Sequence, residues 1–344
     1  MDQISPHRPS VSVVMITYNH GPYIRQAIEG VLSQETDFPV ELLIGEDHST
    51  DNTLEIVRAL ADANPGKIRL ITSEGNVGAK KNVQRLEAAC QGKYMAYCEG
   101  DDYWHDPKKL KKQIGFLEAN PDYSLVHTEF RSIAVSTGHV VRNAARQLKD
   151  LDDGDAFNDL LSGRRIILTL TVCARAAELR AVLAECPEVY DPRFLMGDTQ
   201  RWLELSRRGR IKCLREVMAT YLILPESASQ SQDPRRELRF VKSTKDVLEH
   251  YILKYGCPPK IRTAVLARCG LRILDCALEA GDFETARRAF VEYRALKTIN
   301  MLPARLSYYG SRSRWRRSLV RPALMLLEFA HRVQARAIRF FSGS

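Results

Sequence analysis

The sequence lacks the short signatures that assign a chain to the commonest nucleotide or metal classes. No Gly-x-Gly-x-x-Gly follows its first apolar run, which argues against a Rossmann dinucleotide site, and no Gly-x₄-Gly-Lys-[Ser/Thr] occurs, so it is not a P-loop NTPase. There is no His-Glu-x-x-His and no zinc-type histidine spacing. Its eight cysteines include no Cys-x-x-Cys pair, and the first ten residues carry no signal-peptide pattern. Reduced thiols and a cytoplasmic setting are therefore expected. No run approaches the roughly 18 apolar residues that a membrane span requires.

Acidic residues are scarce at the C-terminal end. From residue 301 onward, nine arginines face one glutamate, a balance of +8 out of a total of +9, so the first 300 residues are close to neutral. The basic character belongs to the tail. Arg321, Glu328, Arg332, Arg336 and Arg339 fall on one narrow helical stripe, and Leu319, Val320, Leu324, Leu327, Ile338 and Phe341 lie mostly away from it. Such a helix suits an anionic membrane surface, on the inner face of the cell membrane; the alternative is packing on the protein with the arginines in water. No nucleic acid is expected as a partner, because no aromatic platform or basic-helix motif accompanies the charge.

What is present is an acidic cluster. Tyr97-Cys98-Glu99-Gly100-Asp101-Asp102-Tyr103-Trp104 places three carboxylates within four residues, with no basic residue among them. Mutual repulsion makes this costly unless a cation offsets it. Dense hard oxygen ligands suit Mg²⁺ or Mn²⁺, and Mg²⁺ commonly combines one or two carboxylates with substrate phosphates.

The preceding residues supply context. Apolar runs at 11–16, 40–45, 67–72 and 94–98 read as buried strands. Helical patterns follow them: one opened by Pro22 with Ile24, Ala27, Ile28 and Val31, one at 54–63, one at 79–90, and one capped by Asp106-Pro107 with Leu110, Ile114 and Leu117. Fourfold alternation argues for an α/β fold, a mostly parallel sheet flanked by helices. Ligands bind such sheets outside the carboxyl ends of the strands. Thr17-Tyr18-Asn19, Glu46-Asp47, Gly75-Asn76 and the Glu99–Asp102 cluster all sit at those ends and should converge on one edge.

SVVMITYNHGPYIRQAIEGVLSQ, LLIGEDHSTDNT, EGNVGAKKN and YMAYCEGDDYWHDPKKL, in that order, resemble the nucleotide-sugar half of a family 2 glycosyltransferase of the GT-A fold. The resemblance covers residues 10 to about 130. It implies an inverting enzyme using a nucleotide-sugar donor and Mn²⁺ or Mg²⁺, with a glycan or lipid-linked acceptor. It implies that Thr17, Tyr18 and Asn19 contact base and ribose, that Glu46 and Asp47 grip the base, and that Asn76 lines the donor site. Glu99, Asp101 and Asp102 take the place of the family's DXD motif: one carboxylate holds the ribose and the next the metal, with Asp101 or Asp102 as principal ligand. A carboxylate that accepts N3–H of uracil or thymine favours UDP or dTDP, with GDP open. Lys80 or Lys81 is either an aid to the donor site or a surface lysine.

An inverting transfer also needs a carboxylate base. The resemblance points to Asp198, before a helix containing Trp202, Leu203 and Leu205, with Asp191 as runner-up. Asp198 also has the position of a helix N-cap. Two departures stand out. Gly197 replaces the usual Glu before that Asp, and Leu222 and Leu224 replace the Arg and His of a Tyr-Arg-x-His pattern. Gln230, Ser231, Gln232, Arg235 and Arg236 are candidate substitutes. The departures keep a second reading open, a catalytically impaired fold acting as a binding or partner subunit. The domain organisation expected is a glycosyltransferase domain at 1–230 (donor half 10–130, acceptor half 131–230), a helical region at 235–300 and the basic tail at 301–344.

Overall fold

The computed structural model describes residues 10–141, 156–224 and 233–296. The basic tail and Gln230, Ser231 and Gln232 lie outside the described residues. The chain divides into two compact units, Met1–Pro192 with Met196–Leu224, and Arg193–Leu195 with Pro225–Ser344.

The first unit opens with β1 (Val11–Thr17), α1 (Ile24–Leu32), β2 (Val40–Glu46), α2 (Thr53–Ala63), β3 (Ile68–Ile71), α3 (Ala79–Ala89) and β4 (Tyr94–Tyr97). It continues through β5 (Tyr103–Trp104), α4 (Lys109–Ala119), β6 (Tyr123–Ala134), β7 (His139–Val141), α5 (Ala156–Ser162), β8 (Val172–Arg175), α6 (Ala176–Glu185), α7 (Thr199–Arg208) and β9 (Arg210–Ile223). The first four strands pair in parallel in the order β3-β2-β1-β4. Beyond β4 the pairing is mixed. β8 runs antiparallel to both β4 and β6, β9 lies parallel to β6, and β5 closes the order antiparallel to β9. Two-sided burial explains why β1 is apolar almost throughout. Its Val13 and Met15 share one core with Leu42, Ile44 and the Ile24, Ala27, Ile28 and Val31 face of α1.

Gly30 on α1 permits a close approach of β5, since a Cβ there would fall 2.6 Å from the Trp104 carbonyl oxygen. Trp104 is fixed on both sides. Its indole N–H donates to the Leu170 carbonyl at 2.8 Å, and the buried Lys109 ammonium sits 4.1 Å from its ring centroid. These contacts hold the strand that follows the acidic loop.

Two helices start later than their sequence signals. Tyr23 and Ile24 N–H both donate to His20 O, so a turn precedes α1. Asp106 accepts from Lys108 N–H at 2.8 Å and α4 begins one residue on. A main-chain turn at His20 accounts for the first offset, and capping by the Asp106 side chain outside the helix proper accounts for the second.

The second unit contains α8 (Pro234–Tyr255), α9 (Pro259–Ala280) and α10 (Phe283–Ala295). Gly281, with φ 75°, terminates α9 in the left-handed conformation, and Asp282 caps α10 through Thr285 N–H. Leu238, Val241, Ile273, Leu274, Ala277 and Phe290 form its core. Among the described residues no helix is long and apolar enough to cross a membrane, and all eight cysteines are free thiols.

His127 on β6 is buried, with Nε2 3.5 Å from Arg165 Nη1. Burial first, then the Arg165 charge, depress its pKa from 6.5 to about 3. Between those values the unfolded chain binds a proton that the folded chain refuses. The contribution of the neutral ring is complete above pH 6.5 and is lost as pH falls toward 3. His127→Asn should therefore flatten the fall of the thermal midpoint between pH 6.5 and 4. Parallel wild-type and variant curves over that range would refute this account.

Candidate active site

The carboxyl ends of the parallel strands are tied together by main chain and short polar side chains. Thr17 pairs with Glu46 in the β1–β2 register, Asp47 N–H donates to Thr17 O, and Gly100 N–H donates to Ile16 O. Gly100 lies directly on Thr17, where a Cβ would fall 2.7 Å from the threonine Oγ1. That hydroxyl is buried with no protein partner. Asn19 adopts a left-handed φ of 55°, accepts from Thr50 N–H at 2.8 Å and donates its own N–H to Ser49 Oγ. Tyr18 is 41% exposed beside it.

Glu46 and Asp47 are buried and already organise loops. Glu46 accepts from Ser49 N–H at 2.7 Å. Asp47 accepts from Val77 N–H and Gly78 N–H, one on each oxygen, both at 2.8 Å. It thereby fastens the loop carrying the exposed Asn76, whose own Oδ1 accepts from Gly78 N–H. The four polar segments expected at the strand ends are thus brought to one edge.

Within the acidic loop the carboxylates differ. Asp102 is 3% exposed and accepts from Leu222 N–H at 2.8 Å, so one of its oxygens braces β9. Asp101 is more open, with Oδ2 3.9 Å from His20 Nε2. Glu99 Oε2 is buried with no partner. Burial, then Asp101 and Asp198, push the Glu99 carboxyl up to about 8. Burial, followed by Asp101 and Glu99, also raises Asp102 despite its amide donor. An orphaned carboxylate oxygen among like charges fits a divalent cation. Among the described residues, the three-ligand cluster with atoms within 4.8 Å of one another is Cys186, Glu188 and Glu204 rather than this loop. The loop instead offers one or two carboxylates, the number Mg²⁺ takes when phosphates complete its shell.

Asp198 faces this loop from α7. Its Oδ1 caps the helix by accepting from Thr199 N–H at 2.7 Å, and its Oδ2 accepts from Thr169 Oγ1 at 3.3 Å. The capping position is real, and Asp198 and its partner Thr169 both also act on the Glu99 carboxyl, Asp198 as a like charge and Thr169 as a hydrogen-bond donor. Asp191 contributes its carbonyl, which accepts from Lys80 Nζ at 2.5 Å. Lys80 is therefore tied to the segment before α7. Burial lowers its pKa, opposed by Asp191.

On β9, Leu222 is buried and offers Asp102 only its main-chain amide. Nearby cationic capacity comes from Arg131 on β6, which donates to Thr220 Oγ1 at 2.8 Å and to Tyr103 Oη at 3.3 Å. Thr169, Glu87 and Arg201 belong to the site's surroundings without having been singled out in the sequence, and so does His20, which beside Gly21-Pro22 reads there as a turn histidine. His20 had a signal, being three residues beyond the end of β1. Glu87 had one as well, a charged residue on the buried face of α3 beside Leu86. Its partner had none.

Residues 12–167 match the family model described as Glycosyl transferase family 2. A putative teichuronic acid biosynthesis glycosyltransferase, TuaG of Bacillus subtilis, is 33% identical over 227 residues, 65% of this chain and 83% of that protein. Uncharacterised mycobacterial proteins, including one from Mycobacterium tuberculosis, are 42% identical over 123 residues, and the match spans 36% of their length. Two solved structures share the fold. TarS 1–349 of S. aureus in complex with UDP-GlcNAc superposes with a TM-score of 0.56 at 17% identity, over 88% of this chain and 80% of that one. The mannosyltransferase PcManGT of Pyrobaculum calidifontis, in complex with GDP-Man and Mn²⁺, gives 0.56 at 18% identity, over 95% and 87%.

The orphaned Glu99 oxygen yields a measurable consequence. Glu99→Gln should raise the thermal midpoint in EDTA by removing repulsion, and should shrink the stabilisation that millimolar Mn²⁺ gives the wild type. A wild type indifferent to Mn²⁺, with no gain from the substitution, would argue against a cation at this loop.

Proposed function

The chain belongs to glycosyl transferase family 2, and from that membership we propose that it transfers a sugar from a nucleoside diphosphate donor with inversion at the anomeric carbon. The acceptor is a glycan or lipid-linked saccharide of surface polysaccharide synthesis. The observation that supports this reading is that Asp198, through its own charge and its partner Thr169, acts on Glu99 of the acidic loop.

The donor half of the site follows from the strand ends. Thr17, Tyr18 and Asn19 bound the base and ribose with Glu46 and Asp47. A carboxylate has about four lone-pair positions, so Asp47 retains acceptor capacity after fastening its loop, and the N3–H of uracil or thymine suits it. We favour UDP or dTDP on that ground. Asn76 lines the same edge. Glu99 and Asp101 face the donor, Asp101 is the principal metal contact, and Asp102 serves chiefly as the brace to β9. A bound Mn²⁺ or Mg²⁺ would supply compensation for the charge of the leaving diphosphate.

Asp198 takes the proton of the acceptor hydroxyl. The oxygen then attacks the anomeric carbon from the face opposite the phosphate, the bond to the diphosphate oxygen breaks, and configuration inverts. Thr169 orients the Asp198 oxygen that is not engaged in capping. Asp191 stands as an alternative base.

The apolar Leu222, where a basic side chain would serve the phosphates, favours a second reading, a fold that binds nucleotide sugar without efficient transfer. Arg131, held by Thr220 and Tyr103, is a candidate to supply the missing charge.

Calorimetric titration of UDP, dTDP, GDP and CDP, each with and without Mn²⁺, should give metal-dependent binding of UDP or dTDP. Failure of all four in folded protein would defeat the donor-site reading. Asp198→Asn should lower turnover by about 10²-fold or more with nucleotide binding retained. Unchanged turnover would remove Asp198 from the mechanism, and metal-dependent binding without turnover in the wild type would favour the impaired fold.

A further inference from the structure

Behind Asp198 lies a buried ion pair that the reaction just described does not use. Glu87 on α3 and Arg201 on α7 are 2% and 4% exposed, with Arg201 Nε 2.9 Å from Glu87 Oε1 and Nη2 3.1 Å from Oε2. Each carboxylate oxygen takes a second donor. Tyr97 Oη donates to Oε1 at 2.8 Å, and Tyr190 Oη donates to Oε2. The guanidinium lies 5.1 Å from the Tyr190 ring centroid. Its remaining nitrogen, Nη1, donates to the carbonyl oxygen of Gly197.

That last bond reaches the residue immediately before Asp198. Gly197 has no side chain, and an ideal Cβ there would meet only Arg201 Nη1, at 3.8 Å. Its carbonyl is thus the handle that Arg201 takes on the chain entering α7, next to the Met196 carbonyl, which accepts from Gln200 Nε2 at 2.7 Å. The other end of the network is equally specific. Tyr97 ends β4, two residues before Glu99, and its ring packs edge-on against Trp202 at 5.8 Å. One carboxylate therefore ties the strand leading to the acidic loop to the helix that presents Asp198. Burying two charges costs more than apolar packing of the same volume, so stability alone is weak ground for keeping them.

We propose that the Glu87–Arg201 pair is a positioning device that sets Asp198 against the acidic loop, acting through the Gly197 carbonyl. The proposal rests on Asp198 being the base. Glu87 anchors the guanidinium, Arg201 holds the carbonyl, and the carbonyl fixes where the Asp198 carboxylate begins. Lysine cannot replace the arginine here, because a single ammonium cannot grip both Glu87 oxygens and the Gly197 carbonyl.

A mutant cycle on the full chain tests this, read as UDP release from UDP-glucose and UDP-N-acetylglucosamine beside calorimetric UDP affinity and near-UV dichroism. Glu87→Gln and Arg201→Lys should each lower kcat by at least about tenfold, the scale on which misplacing a reacting group acts, while UDP affinity stays within about twofold. In an Asp198→Asn background neither should lower kcat further, because the group they position is gone. The same fractional loss in both backgrounds, or wild-type kcat in folded Arg201→Lys, would overturn the positioning role. Full turnover by Asp198→Asn alone would instead overturn the base reading. Arg201→Lys keeps a charge beside Glu87, so the test survives if Glu87→Gln does not fold.

Discussion

Repulsion between carboxylates is the constraint on which this site depends. Glu99, Asp101 and Asp102 follow β4, Asp198 caps α7, and Glu99 and Asp102 are driven toward their neutral forms by burial and by neighbouring carboxylates. Nothing in the packing requires that density of charge. The surrounding chain meets its cost by dividing the labour. Asp102 turns one oxygen back to a β9 amide, Asp198 turns one to a helix terminus, and Asp101 stays near solvent. Glu99 alone keeps a buried oxygen unanswered.

The strand ends are stiffened by hydrogen bonds that run from carboxylate to main chain. Asp47 on two consecutive amides, Glu46 on Ser49 and Asp51 on Gly21 each convert a loop into a fixed surface without a glycine-rich cradle. Loop residues held this way are preorganised, so less ordering entropy is lost when a ligand arrives. Asn19 and His48 accept left-handed backbone, at φ 55° and 61°, as part of the same arrangement. The tight contact of Gly100 on Thr17 explains why a glycine separates Glu99 from Asp101.

Much of this was legible in the chain itself. Two-sided burial makes a parallel strand apolar along its length, so β1, β2 and β4 stood out, and the polar residues just past them announced the edge they share. The helical region expected at 235–300 holds α8, α9 and α10, with Gly281 and Asp282 marking the turn between the last two. What escaped depends on partners far apart in sequence. The antiparallel entry of β8 is a matter of which edge is open, not of local pattern. Glu87 and Arg201 are 114 residues apart, and neither marks the other. Asp102 resembled its neighbours until the fold showed which way it turns.

The bond from Asp102 to Leu222 has a last implication. It is made to a peptide nitrogen, and so it is blind to the side chain borne there. The bond itself therefore asks nothing of the side chain at 222 except that it not be proline, which has no N–H to offer, and it is the burial of Leu222 that limits what else can stand there. The hold of the acidic loop on β9 is thereby set by main chain, and the side chain at 222 answers to the core rather than to the loop.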